Sequence, residues 1–341
     1  MTDDRYDRQI HFASIGPSGQ AALAQSRVFI VGAGALGTHA ASMLARSGVG
    51  TITLIDRDYV ETSNLHRQVL YTEEDARQML PKAEAAARHL LKINRSCRVT
   101  GIVGELSGDR PPEALLQADL LIDACDNFET RLAINDLSQK YNIPWIYGGV
   151  VGASGTTFTI IPGQTPCLSC LLKQMPILAE SCDRLGVIAP VVQWVSAHQV
   201  AEGLKWLTGN RSAMRRTLLF ENLWTNERAA IAVDALKSAD CPSCGINRRY
   251  PHLKPLSVQP TVLCGRDTVY IHPQQARHPD LEGVKMRLRR RRIAFVDHEM
   301  LIQVVWLGHR VVLFYDGRAL IHDLNDLDQA QQIYREIVDE T

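Results

Sequence analysis

A doubly wound α/β domain built on a mainly parallel, Rossmann-like sheet is the fold class this sequence predicts. Three observations predict it. Short apolar runs alternate with helix-period segments between Arg27 and Tyr147. The first run, RVFIV, enters a glycine-rich turn that opens a helix, and the second, TITLID, ends on an acid. Strand, glycine turn, helix and strand form a βαβ unit, whose crossover implies parallel strands.

In chain order, Arg27–Val31 is the first strand and ALGTHAASMLARSG the first helix, with small residues on its sheet-facing side. Gly48 and Gly50 end it, and Thr51–Asp56 is the second strand. A helix after Pro81, KAEAAARHLLKIN, leads to a strand near Arg98–Val103. A short helix at Pro112–Gln117, the strand Asp119–Ala124, a helix near Glu129–Tyr141 and the strand Pro144–Tyr147 complete the alternation. After Gly155 it stops. TTFTIIPG predicts a strand in an antiparallel extension, followed by a loop carrying TPCLSC. Pro190–Gly209 reads as a helix, with Pro at its start and Gly at its end. LLFENLW and AAIAVDAL predict two further strands before DCPSCG.

From about Leu253 the pattern changes. LIQVVWLG and RVVLFYDGRALIH alternate apolar and polar residues around a turn at GHR. DLDQAQQIYREIVD places Leu327, Ala330, Tyr334 and Val338 on one helical face. The expected organisation is therefore one domain over 1–252 and a small C-terminal α/β module over 253–341, within ordinary domain sizes.

Composition narrows the function classes. Of 341 residues, 45% are hydrophobic and 22% charged, enough to bury a core and unlike a disordered chain. Thirty-seven basic residues offset 37 acidic ones, giving net charge zero, which argues against holding nucleic acid by bulk charge. The run Arg287 and Arg289 to Arg292 reads as a solvated face. No apolar run reaches the length of a membrane span, and the start MTDDRYDRQIHF is polar, so a cytoplasmic setting is expected. Eight cysteines are too sparse for a disulfide scaffold.

Gly32, Gly34 and Gly37 form a G-x-G-x-x-G between a strand and a helix. Glycines let the backbone turn tightly and approach phosphate, while the helix start supplies unpaired N–H donors and the positive end of its dipole. Asp56 lies about 20 positions on, where an acid binds a ribose hydroxyl pair. A dinucleotide carries only a pyrophosphate; Asn64, Arg67, Gln68 and Lys82 suit a triphosphate better, because Arg clamps phosphate oxygens bidentately. Asp126 follows the fourth strand and is placed to hold Mg2+ beside that triphosphate, with Asp123 or Asn127 capping the next helix. Asp58 and Asn127 complete the candidate nucleotide set.

Cys167-x-x-Cys170 and Cys241-x-x-Cys244 are two knuckles of the kind that form a closed, structural Zn2+ site. Cys97 and Cys125 read as small core residues, and Cys264 as a lone cysteine in the C-terminal module.

RYDRQI, GAGALGT, LIDRDYVETSNLHRQ, the Lys82 segment, DACDNFETR and CLSC…CPSC, in this order over about residues 5–250, resemble the ThiF/MoeB/HesA branch of the ubiquitin-activating enzyme superfamily. The resemblance implies ATP-dependent adenylation of the C-terminal glycine of a ubiquitin-like sulfur-carrier protein, ThiS-like or MoaD-like, for thiamine thiazole or molybdopterin synthesis. It implies ATP and Mg2+ roles for Gly34, Asp56, Asn64, Arg67, Lys82 and Asp126, and a homodimer in which Arg8 reaches the partner subunit's ATP. It also implies a cysteine at Cys182 that in some members joins the carrier after adenylation; catalytic and retained roles both stay open there. The C-terminal module does not resemble the rhodanese domain fused to some relatives. A carboxylate is ionised at neutral pH, so the adenylation needs no general base. Three rivals remain: activation of a carboxylate on a modified tRNA base, as in a tRNA threonylcarbamoyladenosine dehydratase, an NAD-dependent oxidoreductase, and a noncatalytic scaffold subunit. No catalytic His–acid pair stands out for hydride transfer.

Overall fold

The computed structural model describes residues 4–174, 186–255, 259–262, 267–272 and 280–338. Contacts divide the chain into two compact units, residues 1–77 with 81–255, and residues 78–80 with 256–341. Among the described residues no helix is long and apolar enough to cross a membrane.

The first unit carries the helices α1 (Asp7–Ile10), α2 (Gly16–Gln25), α3 (Ala35–Arg46), α4 (Glu73–Arg77), α5 (Lys82–Ile93), α6 (Glu113–Leu116), α7 (Phe128–Tyr141), α8 (Leu168–Gln174) and α9 (Ala189–Leu207). Its strands are β1 (Arg27–Val31), β2 (Thr51–Asp56), β3 (Arg98–Val103), β4 (Leu120–Asp123), β5 (Trp145–Val151), β6 (Ser154–Ile160), β7 (Thr217–Asn222) and β8 (Glu227–Ala232). They form one sheet in the order β3-β2-β1-β4-β5-β6-β7-β8. β3 to β5 are parallel neighbours, with Val31 opposite both Ile55 and Asp123. From β5 onward the pairing is antiparallel, so the doubly wound sheet and its extension are both present.

The parallel strands are apolar on both faces because helices cover both. On one side Phe29, Val31, Trp145, Tyr147 and Phe158 pack with Ile134 and Leu137 of α7 and Leu168 and Leu171 of α8. On the other, α3 packs against α9, with Leu36, Val192 and Val195 buried together. α9 starts with Pro in its first turn and is followed by Gly209 at φ +80°, the helix boundaries anticipated for Pro190–Gly209. α2, ahead of the first strand, is an element the alternation argument did not include.

The second unit is a six-stranded antiparallel sheet with two helices. Its strands are β9 (Thr261–Val262), β10 (Thr268–Ile271), β11 (Phe295–Asp297), β12 (Leu301–Trp306), β13 (His309–Phe314) and β14 (Ala319–His322), in the order β11-β12-β13-β14-β10-β9. The helices α10 (Leu281–Arg290) and α11 (Leu327–Val338) cover one face of it. Two details differ from the sequence expectation. The stretch RVVLFYDGRALIH is two strands, because Gly317 takes φ +87° and the chain reverses between Phe314 and Arg318. The buried residues of α11 are Ala330, Ile333 and Ile337, whereas Leu327 is exposed at the helix start. Arg287 donates to the Ile337 and Val338 carbonyls that end α11, so this arginine supports a helix terminus, while Arg289 to Arg292 are exposed.

Candidate functional site

The sheet winds outward in opposite directions from β1 and β4, so their carboxyl ends flank a crevice, the place where ligands bind in open α/β sheets. The three glycines at the end of β1 serve different ends. A Cβ on Gly32 would lie 2.3 Å from the Ala124 carbonyl oxygen, and one on Gly37 would lie 2.0 Å from the Gly32 oxygen. Packing of the protein on itself requires those two. For Gly34 the nearest atom to such a Cβ would be Gln68 Nε2, at 3.9 Å. The space over Gly34 is therefore open, and its backbone can approach whatever fills it. Gln68 borders that space, is buried, and its Oε1 has no hydrogen-bond partner. An unused buried acceptor costs about 1–3 kcal/mol unless a donor such as a sugar hydroxyl meets it.

Asp56, at the end of β2, accepts from the Ala33 N–H through Oδ2 at 2.7 Å and from the Asp58 N–H through Oδ1 at 2.7 Å. Burial raises its pKa; Lys82 opposes that rise and Asp58 adds to it. Lys82 begins α5 with its side chain 5% exposed, and its Nζ donates to Asp58 Oδ2 at 3.0 Å. One cation and two carboxylates thus lie together beside the glycine turn, a cluster that Asp58 makes and that spacing alone does not reveal.

The remaining candidates sit nearby or apart. Asn64 is buried and its Oδ1 accepts the Glu61 N–H, closing a capping box around residues 61–64. The Arg67 guanidinium donates to the Ser63 carbonyl at 3.0 Å. Asp126 is exposed at the mouth of β4, with Asn127 Nδ2 donating to its Oδ1 at 3.2 Å. Asn127 caps α7, its Oδ1 accepting the Thr130 N–H at 2.9 Å. Asn127→Ala is expected to cost about 1 kcal/mol, the usual worth of such a cap, read as a lowered unfolding midpoint. Arg8 is exposed on α1. Cys182 and Cys264 lie outside the described residues.

The two cysteine knuckles come together within the apolar cluster on the α7 side of the sheet. The Sγ atoms of Cys167, Cys170, Cys241 and Cys244 all lie within 4.8 Å of one another, and all four residues are buried. Cys167 is 3.8 Å from Cys170 and 3.6 Å from Cys241, and Cys170 is 3.5 Å from Cys244. A zinc–sulfur bond of about 2.3 Å sets tetrahedral sulfur–sulfur edges of about 3.8 Å. The four sulfurs therefore fit a closed Zn2+ site with no position left for substrate. Asn135 of α7 supports it, Oδ1 accepting the Leu168 N–H at 2.8 Å and Nδ2 donating to Ser169 Oγ at 3.3 Å.

Residues 6–243 match the ThiF family. The chain belongs to the ThiF family. It is 46% identical over 331 residues to the sulfur carrier protein ThiS adenylyltransferase of Bacillus subtilis, covering 97% of this chain and 98% of that one. The Escherichia coli protein of the same name is 35% identical over 243 residues, 71% of this chain and 94% of its own. Among solved structures, one of E. coli MccB with ATP is similar at a TM-score of 0.59 and 26% identity, covering 72% of this chain and 75% of that one. The ThiF-family residues are those that build the sheet, the crevice and most of the cysteine cluster.

Two features of this ThiF-family crevice differ from the sequence reading: Asp123, one of two candidate caps, pairs with Arg131 while Asn127 caps α7, and Tyr71 was not singled out. Asp123, wholly buried, accepts from Arg131 Nε at 3.0 Å, from the Cys125 N–H at 2.9 Å and from the Gly148 N–H at 3.3 Å. Arg131 Nη2 returns donors to the Cys125 and Gly148 carbonyls at 2.7 and 2.9 Å. Tyr71 places its hydroxyl between the glycine turn and the start of α5. The R in DNFETR was a visible signal for the first, since it is one helical turn and more into α7 on the side facing β4. Tyr71 carries no such local signal.

Proposed function

We propose that this chain adenylates the C-terminal glycine of a ubiquitin-like sulfur carrier of the ThiS type, serving thiamine thiazole synthesis in the cytoplasm. A carboxylate oxygen of the carrier attacks the α-phosphorus of ATP, the bond to the β-phosphate breaks, and acyl-adenylate and pyrophosphate result. The observation that carries the ATP site is the open space over Gly34, bordered by the side chain of Gln68, whose buried Oε1 has no partner. The ThiS assignment rests on the extent of likeness: the B. subtilis ThiS adenylyltransferase matches across the C-terminal module too, while the E. coli one matches over 71% of the chain.

In this reading the Gly32–Gly37 turn and the N-terminus of α3 meet phosphate, and Gln68 and Asp56 line the nucleotide. Lys82 and Arg67 offset the charge that builds between carboxylate and triphosphate. Asp126, with Asn127 beside it, would hold Mg2+, which supplies further neutralisation of the leaving pyrophosphate. Asn64 shapes the loop that presents Arg67 and Gln68. Cys182 is the candidate to take the activated carrier through sulfur. The domain over 1–252 carries this chemistry, and the module over 253–341 is an addition shared with the B. subtilis relative.

Arg8 belongs to a second copy's site. Its helix α1 is tied to the far end of α3, where Gln9 Nε2 donates to the Ser47 carbonyl at 2.8 Å. The glycine turn lies at the opposite end, and 12 helical residues span roughly 18 Å. An arginine side chain does not cover that distance, so Arg8 acts, if on ATP, on the ATP of a homodimer partner.

The test is intact-mass measurement after mixing the chain with ATP, Mg2+ and a ThiS-type or MoaD-type carrier. An AMP adduct on the ThiS-type carrier, lost on Lys82→Ala, is expected. An adduct on the MoaD-type carrier alone would move the assignment to molybdopterin synthesis. No adduct on either would sink it.

A further inference from the structure

Tyr71 lies outside every nucleotide motif, yet it touches the centre of the site. It is buried, and its hydroxyl is 2.6 Å from the Ala33 carbonyl oxygen and 2.9 Å from that of Lys82. A phenol has one hydrogen to give, and the shorter contact is to Ala33. Burial first, then the carboxylates of Asp56, Asp75 and Asp58, push the phenol's pKa well above its usual value. The hydroxyl is thus a donor at every working pH.

What it holds matters. The Ala33–Gly34 peptide is trans and planar, so its N–H points opposite to its carbonyl. With the carbonyl drawn to Tyr71, the Gly34 N–H faces away from the phenol. Among the described residues it has no acceptor. The preceding peptide is held as well, its Ala33 N–H donating to Asp56 Oδ2 at 2.7 Å. Both peptides flanking Ala33 are therefore fixed by side chains from elsewhere in the chain. One of those side chains also meets the first residue of α5, the helix that presents Lys82.

We propose that Tyr71 is a positioning residue for the nucleotide phosphates: its hydroxyl sets the Ala33–Gly34 peptide so that the Gly34 N–H meets a phosphate oxygen. This rests on the reading that the crevice binds ATP. It differs from that reading in naming a residue whose part is played through the backbone, without contact to the ligand.

The decisive variant is Tyr71→Phe, which removes one oxygen and keeps the ring in its packing. Affinities for Mg-ATP and for adenosine would be measured on the full chain by ligand-observed NMR, with melting temperatures alongside. The expected result is ATP affinity about tenfold weaker, the scale of one hydrogen bond to a charged group, with adenosine affinity unchanged within twofold. Unchanged ATP affinity would overturn the proposal. So would equal weakening of both ligands, which marks a general prop. Failure of the unmodified chain to bind ATP would overturn the ATP reading together with this one. A second measurement needs no variant: in the unmodified chain the Gly34 amide resonance should shift on adding Mg-ATP and stay in place with adenosine. A Gly34 amide indifferent to ATP counts against the assignment.

Discussion

Asp123→Ala is expected to lower the folding free energy by about 3–5 kcal/mol, because it strands the Arg131 guanidinium in a buried site. The Arg131 side chain is 6% exposed and that of Asp123 is 0% exposed. The carboxylate also accepts the Cys125 and Gly148 N–H groups, so its loss orphans two backbone donors besides the cation. The Phe128 and Tyr147 rings, 5.1 and 5.3 Å from the guanidinium, keep water from replacing it. Domains of ordinary stability hold about 5–15 kcal/mol, so roughly a fifth of the total or more is at stake. Denaturant unfolding followed by circular dichroism reads it as a shifted midpoint. The paired variant Asp123→Leu with Arg131→Met should recover part of the loss, because neither leaves an unbalanced charge. An Asp123→Ala midpoint equal to that of the unmodified chain would mean the pair contributes no net stability. The same variant should weaken nucleotide binding, since the pair sets the turn from Cys125 to Asp126 and holds β5 at Gly148.

That pair also marks where sequence reading reached its end. The glycine turn, the acid at Asp56 and the cysteine knuckles are legible because each is a local pattern with one physical purpose. The alternation of strands and helices is legible because the parallel strands are apolar throughout and the helices between them are punctuated by Gly, Pro and Asn. Asp123 with Arg131 is different: its partners come from β4, α7 and β5, and only the sheet order brings them together. Asp58 with Lys82 and Tyr71 with Ala33 have the same character. In the second unit the sequence pattern put Leu327, Ala330, Tyr334 and Val338 on one face of α11; the core takes Ala330, Ile333 and Ile337 fully, Tyr334 and Val338 partly, and leaves Leu327 exposed. Gly317 was visible as a residue, but its φ of +87°, which divides β13 from β14, is set by the turn it occupies.

Removing the metal expected at Cys167, Cys170, Cys241 and Cys244 should have the other large effect, and the structure says where it falls. The knuckles lie at the start of α8 and in the loop after β8, so a bound ion closes the whole intervening segment, α9, β7 and β8 included, into one loop. Such a link acts by restricting the unfolded chain, and a metal that binds only the folded form adds its binding free energy to folding. Sulfur separations of 3.5–3.8 Å are far beyond the bonded length of about 2.05 Å, so these are thiols gathered for an ion and not disulfides. The purified chain should carry one zinc per chain by mass spectrometry of the metal. Chelation should release it, expose four reactive thiols and lower the melting temperature by roughly 10 °C or more, the equivalent of about 3–5 kcal/mol in a domain of this size. Cys241→Ser should do the same without chelator. Cleavage by added protease should then concentrate near residues 164–172 and 236–250, where Asn135 and Ser243 now hold the two knuckles to α7 and to each other. The parallel strands pack in the same apolar cluster as the four cysteines but keep their own ladder hydrogen bonds, so they should be cut later than the knuckles. A chain that is purified without metal, and whose melting temperature ignores Cys241→Ser, would leave the four buried thiols as ordinary packing.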